Sequence, residues 1–207
     1  MRGKAGTFQA PEEVVSAPLA LRVSVTVDAD KFGGARLTCS AVIQSDAVTD
    51  VVVGFDRKSI PSALTVFPGD EVIRQALDLG VQTAGGLLDP GGNYHQWTVI
   101  DLEGVASATG EFFAMIDGRL LAWASARDTP SKLFAEVADL DTPTQLRDDA
   151  VAIRTITVLA LLQGRPEVAR DAVAAYVPQS DEDTERFPLF ERELVARFPE
   201  YGPLQRS

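Results

Sequence analysis

The stretch from Thr142 to Val177 constrains the fold most, because the start, turn and end of a helix pair can be read from it. Thr142-Pro143-Thr144-Gln145 places a hydroxyl at an N-cap, proline at the first helical position and glutamine at the third, which is typical of a capping box. An apolar stripe with a spacing of three to four residues follows: Leu146, Ala150, Val151, Ile153, Ile156, Leu159 and Leu162. Gly164 ends this helix, Pro166 opens the next and Pro178 ends it. So short a connection predicts an antiparallel helical hairpin.

The N-terminal part predicts antiparallel strands. One face of the first strand is formed by Leu19, Leu21, Val23, Val25 and Val27, which alternate with small or polar residues. After turn residues at 28–34 the alternation returns at Leu37, Cys39, Ala41 and Ile43. Two consecutive segments in which apolar residues recur at every second position are typical of half-buried strands that pair as a hairpin. A turn at Ser45-Asp46 predicts a third strand near Thr49 to Phe55, which completes a meander.

Proline and glycine interrupt the hydrophobic pattern in the middle of the chain. After an irregular connection, the pattern allows at most a short strand from Leu64 to Phe67 and then predicts a helix from Asp70 to Leu79. The glycine-rich segment from Gln82 to Asn93 predicts a long loop, and a strand is expected from Tyr94 to Leu102.

Asp117-Gly118 stands between two apolar runs, Glu111 to Ile116 and Arg119 to Ala126. Since a two-residue type I′ turn needs positive φ at both central positions, this pair predicts a central β-hairpin. Thr129-Pro130 predicts a helix that reaches about Leu140.

Near the C-terminus, residues Ser180 to Asp183 resemble a helix cap, and Pro188 is expected to start the last helix. Strands therefore precede helices, with one helix inserted among the strands. This order predicts an α+β fold, with a mainly antiparallel sheet of about five to seven strands and C-terminal helices, the αα-hairpin included, packed on it. Residues 1–17 are interpreted as a flexible arm and 18–207 as a single domain. A boundary near 128–130 remains possible, between a β-rich part, 18–128, and a helical part, 129–207.

Composition narrows the classes of function. The formal charge is −11, from 30 acidic and 19 basic residues, so nucleic acid and anionic membrane are disfavoured as partners. A basic protein partner is compatible with this charge, although solubility alone also explains it. Cys39 is the only cysteine, which excludes an intrachain disulfide. The first 17 residues lack the apolar core of a signal peptide and no apolar run could span a bilayer, so we expect a cytoplasmic protein.

No catalytic or cofactor motif is recognised. The only histidine is His95, and the chain contains neither a nucleophile elbow nor a phosphate-binding loop nor a metal-ligand spacing. We therefore expect no catalytic residue, no cofactor and no metal. One alternative is a small-molecule site or an atypical enzyme built on the segment 82–103 around His95, with these candidate residues: Asp89, Asn93, His95, Asp101 and Glu103.

The favoured hypothesis is a non-enzymatic, acidic, soluble protein that binds a macromolecular partner. The favoured class of partner is another protein, which the chain would bind as an immunity-type or antitoxin-type inhibitor or as an assembly partner. The candidate contact residues are acids near predicted helix starts: Asp148, Asp149, Asp181, Glu182 and Asp183. They could equally be solvated residues that favour the helix dipole. A third hypothesis is a self-assembling structural protein, a homo-oligomer joined through its apolar strands.

Overall fold

The computed structural model describes residues 18–29, 33–61, 81–83, 97–141 and 144–202. Its elements in chain order are β1 (Ala20–Ala29), β2 (Ala35–Gln44), α1 (Asp46–Val53), β3 (Val81–Thr83), β4 (Trp97–Val99), α2 (Leu102–Met115), a π-helical segment (Ile116–Leu120), α3 (Leu121–Ser125), α4 (Pro130–Ala138), α5 (Gln145–Asp148), α6 (Ala150–Leu162), α7 (Pro166–Ala175) and α8 (Asp181–Arg197). Two 3₁₀ turns lie at Arg57–Ser59 and Pro199–Tyr201. The predicted α+β class is confirmed.

The described chain divides into two compact units. The sheet unit contains the described residues of 19–44 and 80–132, and the helical unit contains those of 1–18, 45–79 and 133–207. The segment around α1 therefore belongs with the C-terminal helices, although it directly follows β2 in the sequence.

In the sheet unit, β2 is the central strand. It pairs with β1 over ten residues, from Ala20 opposite Gln44 to Ala29 opposite Ala35. Residues 40–42 of β2 pair with β3 and residues 35–37 pair with β4, all antiparallel. Because β1 occupies one edge of β2 along its whole length, β3 and β4 both lie on the other edge. The sheet has four strands in the part of the chain that the structure describes, so the expectation of five to seven is not borne out.

The N-terminal hairpin is confirmed as β1 and β2. Cys39, Ala41 and Ile43 are buried, as their alternation predicted. On β1, by contrast, Leu21 and Val25 remain 39% and 47% exposed, so the apolar face of this strand is only partly covered. The strand expected from Tyr94 to Leu102 is found in part, as β4.

The strand predicted near Thr49 to Phe55 is wrong, because the chain forms helix α1 there. Val48, Thr49 and Val52 are all buried, and their i, i+1, i+4 pattern matches one helical face. The valines favour a strand in isolation, but packing of this face within the helical unit overrides that weak preference.

The hairpin predicted across Asp117-Gly118 is also wrong. The chain is helical from Leu102 to Ser125, and neither residue of the pair has the positive φ that a type I′ turn requires. Asp101 caps the start of α2, since its Oδ1 accepts from Gly104 N at 2.8 Å. A π-helical turn contains one residue more than an α-helical turn. Leu120 therefore lies on the same buried helix face as Met115, although the two residues are five positions apart.

This long helix packs on the sheet. Buried residues from both elements form one apolar cluster: Cys39, Ala41, Trp97, Ala108, Met115 and Leu120. The Trp97 ring meets Phe112 edge to face at 5.9 Å, and its Nε1 donates to Glu111 Oε2 at 3.0 Å. Trp97 thus joins β4 to α2 through both an apolar and a polar contact.

In the helical unit, the αα-hairpin is confirmed as α6 and α7. Gly164 has a φ of +66° between the helices, and Pro166 lies in the first turn of α7. Residues 152–162 of α6 are all buried, which makes α6 the central helix of this unit, in contact with α1, α5, α7 and α8.

Several predicted helix boundaries differ from the structure or lie outside it. Thr142 and Pro143 are outside the described residues, and α6 starts later than predicted because Asp149 interrupts the helix and caps α6. The helix from Thr129-Pro130 is confirmed as α4. Pro188 lies inside α8 rather than at its start, because Ser180 already caps the helix by accepting from Asp183 N at 3.1 Å. Pro188 is exposed, where the loss of one backbone hydrogen bond is least costly.

The remaining predictions for the middle of the chain fall largely on residues that the structure does not describe. These are the short strand at 64–67, the helix at 70–79 and most of the loop at 82–93, of which Gln82 and Thr83 belong to β3.

The turn before β2 supports a prediction about packing. Gly33 and Gly34 have φ values of +93° and +96°, so alanine at either position must adopt a left-handed backbone. A Cβ on Gly34 would overlap the carbonyl oxygen of Val99 in β4, whereas a Cβ on Gly33 would meet nothing within 4 Å. We expect Gly33→Ala to cost about 1–2 kcal/mol of unfolding free energy and Gly34→Ala a further ~1–3 kcal/mol for the overlap. Urea unfolding of both variants measures the difference, and equal losses would show that β4 does not approach Gly34.

Candidate functional site

The candidate small-molecule site falls mostly outside the described residues, since Asp89, Asn93 and His95 are not among them. Its other two residues lie at the start of α2. Asp101 is the N-cap, and Glu103 is exposed in the first helical turn, where negative charge favours the helix dipole. The start of the helix therefore accounts for both carboxylates without a ligand.

The described residues give little support for a metal site or for a reactive cysteine. Within the described ranges, no three side chains of His, Cys, Asp or Glu converge to hold a metal ion. Burial raises the pKa of the Cys39 thiol, which disfavours the reactive thiolate. None of the described helices combines the length and the apolar character needed to span a bilayer.

The five predicted partner-binding acids have different environments. Asp148 is exposed, with Oδ1 3.5 Å from Arg147 Nε. Asp149 Oδ1 accepts from Val151 N and Ala152 N, both at 2.8 Å, so this carboxylate is committed to capping α6. Asp181 and Glu182 are exposed at the start of α8, and Asp183 is buried.

Asp183 belongs to a buried charged cluster with Arg154 and Tyr176. Arg154 Nη2 donates to Asp183 Oδ1 at 2.7 Å, and the two side chains are only 1% and 6% exposed. Tyr176 donates its hydroxyl to Asp183 Oδ2. Burial, followed by this hydrogen bond to Asp183, raises the pKa of Tyr176.

The other nitrogens of Arg154 are also occupied. Nε donates to the Ser59 carbonyl at 3.3 Å, and Nη1 donates to the Ala150 carbonyl. The guanidinium faces the rings of Phe187 and Phe190, at 4.9 Å and 5.4 Å from their centroids. Because its hydrogen-bonding groups are satisfied from within, the cluster ties the 3₁₀ turn at 57–59, α6 and α8 together. We interpret it as architectural rather than catalytic.

Sequence reasoning missed this cluster. Arg154 lies in the middle of α6, the most apolar of the described helices, and burying a charged residue at that position is costly unless it has a partner. That irregularity could have identified Arg154 as an unusual residue, but not Asp183 as its partner, 29 residues further on.

Negative charge is concentrated on the helical unit. Its described residues contain 17 acidic and 9 basic side chains, a formal charge of −8. Those of the sheet unit contain 6 and 5, a formal charge of −1. The excess of acidic residues in the described chain is therefore concentrated in the helical unit and is not distributed evenly between the two units.

The helical unit also has an apolar groove between α4 and α7, which we call the α4–α7 groove. Its volume is about 450 Å³. Its lining is mostly alanine and larger apolar residues with one carboxylate: Phe134, Val137, Ala138, Leu140, Val168, Asp171, Ala172, Ala174 and Ala175. Acidic surface and apolar groove thus occur in the same unit.

The described fold is that of an acidic α+β protein with a small antiparallel sheet. The chain matches no protein-family model, and no similar protein is found among curated sequences or among solved structures. Functional conclusions therefore depend on the residues of this chain.

Proposed function

We propose that this protein is a non-enzymatic binding protein whose acidic helical unit associates with a basic surface of another protein. Such a protein could act as an inhibitor that covers its partner or as a subunit of an assembly. The observation that carries the proposal is the formal charge of −8 on the described residues of the helical unit, against −1 on those of the sheet unit. Opposite charge on two proteins accelerates their encounter and excludes partners of like charge.

The exposure of the charged groups strengthens this argument. Asp148 and Glu182 keep 55% and 44% of their side-chain surface. Arg154 is buried, and Arg186 is 25% exposed because it donates to the carbonyls of Arg57 and Ile60. Arg197 is likewise only 29% exposed and donates to the Gly54 carbonyl. These three arginines are largely covered, and among the described residues of the unit 12 of the 17 acids are exposed, against four of the nine basic residues.

Charge reversal tests the proposal. Asp148 and Asp181 are exposed, whereas Asp149 and Asp183 have structural partners and are left unchanged. We expect the double variant Asp148→Lys, Asp181→Lys to capture at least about tenfold less of a basic partner than the wild type at low salt, because the attractive field is reversed. Native affinity capture with quantitative mass spectrometry measures this difference.

The sheet unit offers a matched control. Glu103 and Asp117 are exposed acids, and Glu103, like Asp181, lies in the first turn of a helix. The variant Glu103→Lys, Asp117→Lys changes the net charge by the same amount and should retain the captured protein. Equal loss in both variants would mean that net charge alone matters. A captured protein without a basic surface would contradict the proposal.

A further inference from the structure

We propose that the α4–α7 groove docks an amphipathic helix of the partner, with the apolar face of that helix in the groove and its basic face against the surrounding acids. This inference rests on the proposed function, since it names the part of the partner that the acidic unit would recognise. Charge alone does not specify where on the helical unit the partner binds. The inference assigns that contact to the groove and identifies a helix as the part of the partner that binds there.

The floor of the groove suits a helix. Ala138, Ala172, Ala174 and Ala175 contribute only methyl groups, which allow the backbone of a second helix to approach closely. Phe134 and Val137 supply larger apolar surface from α4. This pattern matches the helix-in-groove mode of recognition, in which apolar anchors of one helix face fill a hydrophobic groove.

Leu140 indicates that the groove is incomplete without an occupant. It lines the groove and is nevertheless 67% exposed. An apolar side chain in this position gains from being covered. A small-molecule site would instead gather several polar groups, whereas Asp171 is the single charged side chain of this lining.

The charges beside the groove select a basic occupant. Asp171 lines it, and Asp139 and Asp141 flank Leu140 in the sequence, whereas Glu167, one helical turn before Asp171, is paired with Arg165. No lysine or arginine occurs among the lining residues. A helix with lysine or arginine beside its apolar stripe would therefore meet charges of opposite sign, and an acidic helix would be repelled.

The test uses the full chain and a synthetic peptide of about 18 residues, five helical turns, made of leucine, alanine and lysine with the apolar residues at helical spacing. The wild-type protein should bind this peptide more tightly than a scrambled peptide of the same composition. Leu140→Glu should weaken binding by about tenfold or more relative to an equally charged variant outside the groove, because it places a charge in the apolar lining. Val177→Glu is the matched control, since Val177 is 68% exposed but does not line the groove. Fluorescence anisotropy measures affinity, and circular dichroism checks that both variants fold.

The outcomes separate the two proposals. Equal weakening by Leu140→Glu and Val177→Glu, or equal affinity for the ordered and scrambled peptides, would overturn the groove as the docking site. If the peptide binds unchanged to Leu140→Glu but weakly to Asp148→Lys, Asp181→Lys, the groove proposal fails while charge-driven partner binding stands. Weaker binding to Leu140→Glu alone, with an amphipathic peptide preferred, supports docking in the groove.

Discussion

Asp183→Ala is expected to destabilise the protein by about 3–5 kcal/mol, because it leaves the guanidinium of Arg154 buried without its counter-charge. The side chain of Arg154 is 1% exposed, so water cannot replace the lost carboxylate. Tyr176 would lose its acceptor in the same step. Urea unfolding, followed by circular dichroism, measures the change in free energy.

Asp181→Ala is the control for this experiment. Asp181 lies two residues earlier in the same first turn of α8 but is exposed, so its removal should cost at most ~1 kcal/mol through the helix dipole. The double variant Arg154→Met, Asp183→Ala should lose less than the sum of the two single losses, because no unpaired charge remains. A similar small loss for Asp183→Ala and Asp181→Ala would contradict the buried cluster.

Phe190→Ala should have the second largest effect, a loss of about 3–5 kcal/mol, since it removes a fully buried ring and leaves a cavity. Phe190 is 0% exposed, and its ring contacts Phe55 at 5.7 Å and Phe187 at 5.6 Å between centroids. It also faces the Arg154 guanidinium. The variant therefore weakens the contacts of α8 with both the segment after α1 and the buried cluster.

The control for Phe190→Ala is Val195→Ala on the same helix. Val195 is 37% exposed, so truncation should cost well under ~1.5 kcal/mol. Thermal or urea unfolding of the two variants gives the comparison. If Phe190→Ala were no more destabilising than Val195→Ala, Phe190 would not lie in the core of the helical unit.

Local patterns predicted those elements whose ends have unambiguous chemistry. Gly164 and Pro166 define the turn between α6 and α7, and Ser180 caps α8. In each case a backbone requirement of one or two residues decides the structure. The alternation in β1 and β2 was equally informative, because two strands joined by a short turn pair with each other.

Long-range packing decided the elements that the sequence did not predict. Asp117-Gly118 has the composition of a type I′ turn, yet a helix there places Met115 and Leu120 in the core with Trp97. The valines around Val48 favour a strand, but burial of one helical face prevails. Such outcomes depend on residues distant in sequence, and local propensity does not contain that information.

The sequence predicted the acidic character of the candidate binding surface but not its position in the fold. Acidity and the absence of recognised catalytic motifs pointed to a protein partner, but the sequence did not show that charge is concentrated on the helical unit. The α4–α7 groove could not be predicted from the sequence, because it is formed by residues of α4 and α7 that are about 30 positions apart.

The most direct test of charge-driven binding is the association rate of the protein with its captured partner as a function of salt. We predict that the wild-type rate falls steeply as salt rises, and that Asp148→Lys, Asp181→Lys lowers it by about tenfold or more at low salt, since steering depends on unscreened charge. Glu103→Lys, Asp117→Lys should change the rate much less. A rate independent of salt and equal for wild type and both variants would contradict the proposal that the acidic helical unit captures a basic protein.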